Sequence, residues 1–195
     1  MSEYHNTKAE DRVPLGQKLA VGAGGFPIQN GGLIVQYMAQ PIFQIFLGLN
    51  PALFGLAMTI PRIWDAFTDP VMGRISDRTQ SRYGRRRPYV FFGALAVALT
   101  FLTIWMVPQS MGDTGTFLWL TIGSVLFFTA FTVFSVPFNA LVYEQTPDYH
   151  ERTRLMFYLA LFYNIGNLCV NWYVPATNWS GFENPLEGAR WIALG

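Results

Sequence analysis

The sequence predicts an all-α, polytopic membrane bundle, on three observations. Of 195 residues, 51% are apolar and only 13% are Asp, Glu, Lys or Arg, where a soluble domain carries about a quarter. Charge is absent throughout residues 19–61, twice the roughly 20 residues one helix needs to cross about 30 Å of hydrocarbon. The apolar runs have helix length, not the roughly ten-residue alternation of a transmembrane strand.

Each element follows from where charges and turn residues fall. Gly48-Leu49-Asn50-Pro51 is the strong turn signal inside the first long run, and Pro disfavours helix at the residue before it. That sets spans at about 18–47 and 52–75. Further uncharged runs give spans at 89–107, 117–143 and 155–175, and 189–195 reads as the opening of a sixth. Residues 1–17 are polar, with no short apolar core before a cleavage site, so they read as a cytoplasmic segment and not a removable signal peptide.

Loop charge sets the direction. The second connection holds Arg74, Arg78, Arg82, Arg85, Arg86 and Arg87, the fourth Arg152 and Arg154, and the N-terminus Lys8, Arg12 and Lys18. The first and third connections carry no Lys or Arg, and the fifth only Arg190. This asymmetry places the N-terminus and the even connections in the cytoplasm; the expected location is the cell (inner) membrane. The Arg85–Arg87 run reads as a topology determinant with contact to anionic membrane lipid.

Other classes fall away. With 13 Lys+Arg against 12 Asp+Glu the net charge is +1, which points to no nucleic-acid partner. The single cysteine, Cys169, excludes an internal disulfide framework and a Cys-based zinc site. No phosphate-cradling glycine loop, HExxH or Ser/His/Asp arrangement occurs, so neither an enzyme nor a bound cofactor is expected. His5 and His150 lie in polar segments, and Asn178-Trp179-Ser180 fits a glycosylation sequon by pattern alone.

The informative residues are those a membrane makes expensive. Asp65 lies about 13 residues into span two, near the bilayer middle, and Asp69 follows at i+4, so both carboxylates share a helix face, roughly 6 Å apart at Cβ. Thr68 borders that face. A charge at the centre of a membrane helix costs about 2.5–3.5 kcal/mol, and two like charges cost more unless a proton or cation joins them. Arg62, at i−3, neutralises Asp65 in a purely structural reading but leaves Asp69 unexplained. If spans two and four are neighbours, Thr132 lies at the depth of Asp69, both roughly 22–24 Å along their helices. Two carboxylates plus neutral oxygens suit Na⁺ or Li⁺, and a carboxylate pair equally suits H⁺; Asp65 and Asp69 are the metal ligands if the ion is sodium. In span one, Gly22, Gly24, Gly25, Gly31 and Gly32 permit close helix contact. Gln29, Asn30, Gln36 and Gln40 suggest a polar cavity for the hydroxyls of a sugar-like solute. Trp64 and other aromatics are candidates to stack on a sugar ring.

Two motifs then carry a resemblance. Gly73-Arg74-Ile75-Ser76-Asp77-Arg78, followed by Arg82-Tyr83-Gly84-Arg85-Arg86-Arg87-Pro88, resembles the loop signature of the major facilitator superfamily between its second and third helices. Joined to Arg62-Ile63-Trp64-Asp65-Ala66-Phe67-Thr68-Asp69-Pro70, it is similar to the glycoside–pentoside–hexuronide:cation symporter family, the melibiose permease-like carriers. The resemblance implies a twelve-helix transporter of two six-helix halves, with this chain as the N-terminal half, a missing C-terminal half as its partner, and sugar uptake coupled to Na⁺, Li⁺ or H⁺. It places Asp65, Thr68, Asp69 and Thr132 on the cation site. It places Gly73, Asp77, Arg78, Gly84 and Arg85 in a loop that switches between conformations, with Arg152 in the loop after helix four. The sugar positions agree poorly: carboxylates of the melibiose carrier fall at Gln29 and Ser135, a tryptophan at Asn139 and an arginine at Ala160. The expected function is cation-coupled symport by alternating access; the alternative is a non-transporting adaptor or sensor built on the same half-bundle.

Overall fold

The structure is a computed structural model that describes residues 11–178, 181–182 and 184–194, leaving aside the side chain of Gln29. His5, Trp179 and Ser180 of the sequence readings lie outside the described residues. Among those residues all regular structure is helical, as an all-α chain requires. Helix α1 spans Leu15–Ala39, α2 Pro51–Arg78, α3 Arg87–Trp105, α4 Asp113–Tyr143, α5 Tyr149–Thr177 and α6 Pro185–Leu194.

Helix α1 does not stop at Ala39 but widens into π-helical turns over Gln40–Phe46. Pro41 accounts for this: it has no N–H for the Tyr37 carbonyl, and widening the ladder relieves the clash of its ring with that carbonyl. The chain then reverses. Gly48 takes a left-handed φ of +72°, open to glycine without strain, and the Leu49 amide donates back to the Phe43 carbonyl at 2.9 Å. Asn50 caps α2 by accepting from the Ala52 amide at 2.9 Å, and Pro51 opens the helix where no amide is needed.

The helices pack chiefly as α1 on α5, α3 on α4 and α2 on α4. Small residues permit the close approaches. Gly22 and Gly25 of α1 lie under Phe162, Leu159 and Tyr163 of α5, and Gly166 of α5 faces Asn30 of α1. At the α3–α4 crossing, a Cβ on Gly93 would come within 2.8 Å of the Phe134 backbone. Phe43, Trp105, Leu120 and Phe127 anchor one apolar core, and Phe134, Phe138, Leu155 and Leu159 a second.

Many large apolar side chains stand on the outside. Phe91, Phe92, Leu95 and Leu99 stand exposed on α3, and Leu168 and Trp172 on α5, a surface suited to lipid and not to water. Helices α3 and α4 are long and apolar enough to cross a membrane by themselves. Helices α1, α2 and α5, also read as spans from the sequence, fall short of that measure, α2 carrying Arg62, Asp65 and Asp69 along its length.

The amino-terminal segment is docked on α5. Glu151, almost fully buried, accepts from the Val13 amide at 3.0 Å and pairs with Lys18 at 2.5 Å and Arg154 at 3.1 Å. Burial opposes the charge on Glu151, but these donors outweigh it and hold the carboxyl below the ordinary glutamate range.

Candidate cation-binding site

The α2–α4 packing turns one face of α2 inward, and the four-residue spacing puts Asp65 and Asp69 on it one turn apart. Both border a cleft of about 310 Å³ that α1 closes with Ile28, Gly32 and Leu33. Helix α4 contributes Phe128, Phe131, Thr132 and Ser135. The Thr132 hydroxyl donates to Asp69 Oδ1 at 2.8 Å. Asp65 Oδ1 is buried and, among the described residues, has no hydrogen-bond partner, a costly arrangement for a carboxylate oxygen.

Arg62 only grazes Asp65. Its Nη1 stands 4.0 Å from Asp65 Oδ2, the outer limit of an ion pair, and the guanidinium lies over the Phe128 ring at 4.8 Å from its centroid, in cation–π geometry. Asp65 is half-buried and Asp69 exposed along the open side of the cleft, and neither carboxylate is clamped by guanidinium among the described residues. Among the described residues no three or more His, Cys, Asp or Glu gather around a point. The oxygens that border this cleft include those of Asp65, Asp69, Thr132 and Ser135, a hard-donor set.

Other residues singled out from the sequence are placed differently. Thr68 spends its hydroxyl on its own helix, donating to the carbonyls of Trp64 at 3.3 Å and Asp65 at 3.4 Å, and it does not line the cleft. Trp64 pins α2 to α4, its indole Nε1 donating to the Thr129 hydroxyl at 2.9 Å. Ser135 lies in the cleft, while Asn139, one turn along α4, is half-buried outside it. The side chain of Gln29 lies outside the described residues. Asn30 and Gln36 of α1 line different cavities. Asn30 is buried against Gly166 and donates to the Phe26 carbonyl at 2.8 Å. Gln36 lines a neighbouring cleft of about 270 Å³ with Thr59 and Arg62.

At the far end of α2 the arginine-rich connection is tied to both helices it touches. Asp77 at the end of α2 accepts from Arg86. Arg86 also meets Glu144 at the end of α4 at 2.8 Å, as does Arg85 at 2.8 Å. The Arg86 hydrogen bond holds the exposed Asp77 carboxyl below the ordinary aspartate range. Gly84 supplies the turn with φ +98°, Gly73 faces Val136 of α4, and Arg78 closes the last turn of α2. Arg152 sits apart, donating to the Thr146 carbonyl at 3.1 Å and bracing the α4–α5 connection. Sequence reasoning left Asp77 without a named partner, used Lys18 only as a topology charge, and passed over Glu144 and Glu151. The signal for the two glutamates was an acidic residue flanking an uncharged run, and no helix periodicity links Arg86 to Glu144 or Lys18 to Glu151.

Comparison with known proteins agrees with this architecture. The profile of the family described as MFS/sugar transport protein matches residues 20–193. An uncharacterized symporter, sll1374, of Synechocystis sp. is 36% identical over 71% of this chain and 26% of its own length. The sodium-dependent lysophosphatidylcholine symporter 1 of Gallus gallus is 30% identical over 74% of this chain and 27% of its own. The putative glycoside/cation symporter YagG of Escherichia coli is 27% identical over 80% and 33%. The chain thus spans about a quarter to a third of the length of these relatives, which are named as transporters and not as enzymes. With a match along nearly its whole length, the chain belongs to the MFS/sugar transport protein family, among the symporters of the major facilitator superfamily.

Proposed function

We propose that the chain forms the N-terminal half of a secondary active transporter that couples solute uptake to Na⁺, Li⁺ or H⁺, with its N-terminus in the cytoplasm. The observation that carries this reading is the Asp69–Thr132 hydrogen bond of 2.8 Å beside the buried, unpartnered Oδ1 of Asp65. A cation between the two carboxylates completes the oxygen set and removes their mutual repulsion. Neutralised, the cleft is cheaper to close away from water, so ion binding favours solute binding and the loaded carrier rocks between its two faces. The Asp77–Arg86–Glu144 link, at the proposed cytoplasmic end, is made and broken in that motion. The remaining half of the transporter supplies the opposite wall of the solute site.

Ser135 is the solute contact best supported by position, with Gln29 of α1, Trp64 of α2 and Asn139 of α4 as further candidates. The solute is a sugar or glycoside in the leading reading, in line with the glycoside/cation relative. A lysophospholipid is the second reading. It is favoured by the lysophosphatidylcholine symporters among the relatives and by a cleft in which Phe128, Phe131, Ile28 and Leu33 flank the polar groups. Vesicles holding the complete protein, given a panel of sugars and lysophosphatidylcholine under imposed sodium or proton gradients, test both. Gradient-driven accumulation of one class selects between them, and no flux of any solute leaves the adaptor or sensor reading.

A further inference from the structure

Helix α5 carries polar residues that neither the bundle core nor the cation site uses. Its inner face, with Leu155, Leu159, Gly166 and Val170, is buried, and α1 is its main packing partner. On the outer side Asn164, Asn167 and Asn171 are exposed. Their three- and four-residue spacing puts them on one face of the helix, in line with the small, exposed Ala160 one turn earlier. Asn164 and Asn167 lie near the middle of this 29-residue helix, the depth at which a polar side chain is least tolerated in hydrocarbon.

The adjacent stripe has the opposite chemistry. Phe157, Leu161, Leu168 and Trp172 stand exposed there, a surface that lipid covers without cost. The outer side of α5 is thus divided lengthwise, bulky apolar residues on one stripe and amides with a small residue on the next. Polar residues within membrane helices face protein or a water-filled cavity. Asn164 Nδ2 donates to the Ala160 carbonyl at 2.7 Å and Asn171 Nδ2 to the Asn167 carbonyl at 3.0 Å, so what both offer a neighbour is chiefly the Oδ1 acceptor. Small and amide residues strung along about 17 Å of helix form the kind of seam on which a second membrane helix packs.

We propose that this amide stripe seats a helix from the remaining half of the transporter, one with small residues for close approach and hydroxyl or amide donors at the facing positions. The relatives, of which this chain spans about a quarter to a third, are long enough to supply it. The seat rests on the reading of this chain as one half of a longer carrier and is independent of the cation pair.

The test is spin labelling of the complete protein in lipid bilayers, on a Cys169→Ser background with single cysteines. Labels at Asn167→Cys and Asn171→Cys are expected to be immobilised and shielded from a water-soluble nickel relaxant. Their oxygen accessibility should fall severalfold below that of Leu168→Cys and Trp172→Cys. Oxygen accessibility equal to that of the apolar stripe would overturn the proposal by placing lipid on the asparagines. So would strong nickel accessibility, which places a water-filled solute cavity there, or spectral broadening that disappears on dilution with unlabelled protein, which places a second copy there. Asn164→Cys without a label checks that the probe itself does not part the helices: it should resist a water-soluble maleimide, and rapid alkylation would count against the seat. These readouts need no solute flux, so failure here leaves the symport reading standing, while retained cation stimulation in Asp69→Asn would sink that reading without moving these accessibilities.

Discussion

Thr132 donates its hydroxyl hydrogen to Asp69 Oδ1 at 2.8 Å, joining α4 to α2 at the level of the intramembrane carboxylates. A hydrogen bond to a charged group contributes about 1.5–3 kcal/mol. Thr132→Val keeps the shape and removes the donor, so the cation concentration for half-maximal stimulation of uptake should rise about tenfold or more. Thr132→Ser should stay near wild type. An unchanged cation dependence in Thr132→Val would remove Thr132 from the site.

The α3–α4 crossing depends on the absence of a side chain at Gly93, because a Cβ there meets the Phe134 backbone at 2.8 Å. Backbone cannot rotate aside as a side chain can. Gly93→Ala should destabilise the bundle by about 1–3 kcal/mol, read as a lower melting temperature in detergent. Gly55→Ala, where nothing lies within 4 Å, serves as the control and should be near neutral.

Glu151 gives a pH dependence. Its carboxyl is held below the ordinary value of 4.5 by the donors around it, so the folded state binds a proton less readily than the unfolded chain. The stabilisation is fully present above the ordinary value and is lost as pH falls through the lower folded value. Limited proteolysis of the N-terminal segment should therefore be flat from neutral pH to about 5 and rise only in stronger acid. A transition near neutrality would contradict this. Glu151→Gln should expose the segment at every pH.

In the arginine cluster, burial separates two neighbours that sequence treats alike. The Arg86 side chain is 9% exposed and bridges Asp77 and Glu144, whereas Arg85 is 48% exposed and pairs with Glu144. Removing the buried partner leaves two carboxylates facing each other, while exposed pairs contribute about 0–1 kcal/mol. Arg86→Ala should therefore impair transport and thermal stability clearly more than Arg85→Ala, measured side by side.

Legibility followed the physics. The helical character and the turn at Gly48–Pro51 were readable because charge depletion and glycine–proline chemistry act locally. The shared face of Asp65 and Asp69 follows from helical spacing, and the level of Thr132 from counting along helices. Its contact with Asp69, however, depends on α2 packing beside α4, which spacing leaves open. The rotamer of Thr68 could not be read, because a hydroxyl in a helix chooses between its own backbone and the cleft. Asn30 lines a groove between α1 and α3, but its packing on Gly166 could not be read, since glycine in α5 creates a niche that only tertiary contact reveals. The Glu151–Lys18 pair spans most of the chain and left no periodic trace.

The central claim is that Asp69 is half of an ion site. The most direct measurement is cation-stimulated solute uptake by the complete carrier bearing Asp69→Asn, with membrane insertion checked in parallel. Loss of stimulation by Na⁺, Li⁺ and H⁺ in a correctly inserted variant is the predicted result. Wild-type stimulation by any one of them, at unchanged half-saturation, would contradict it.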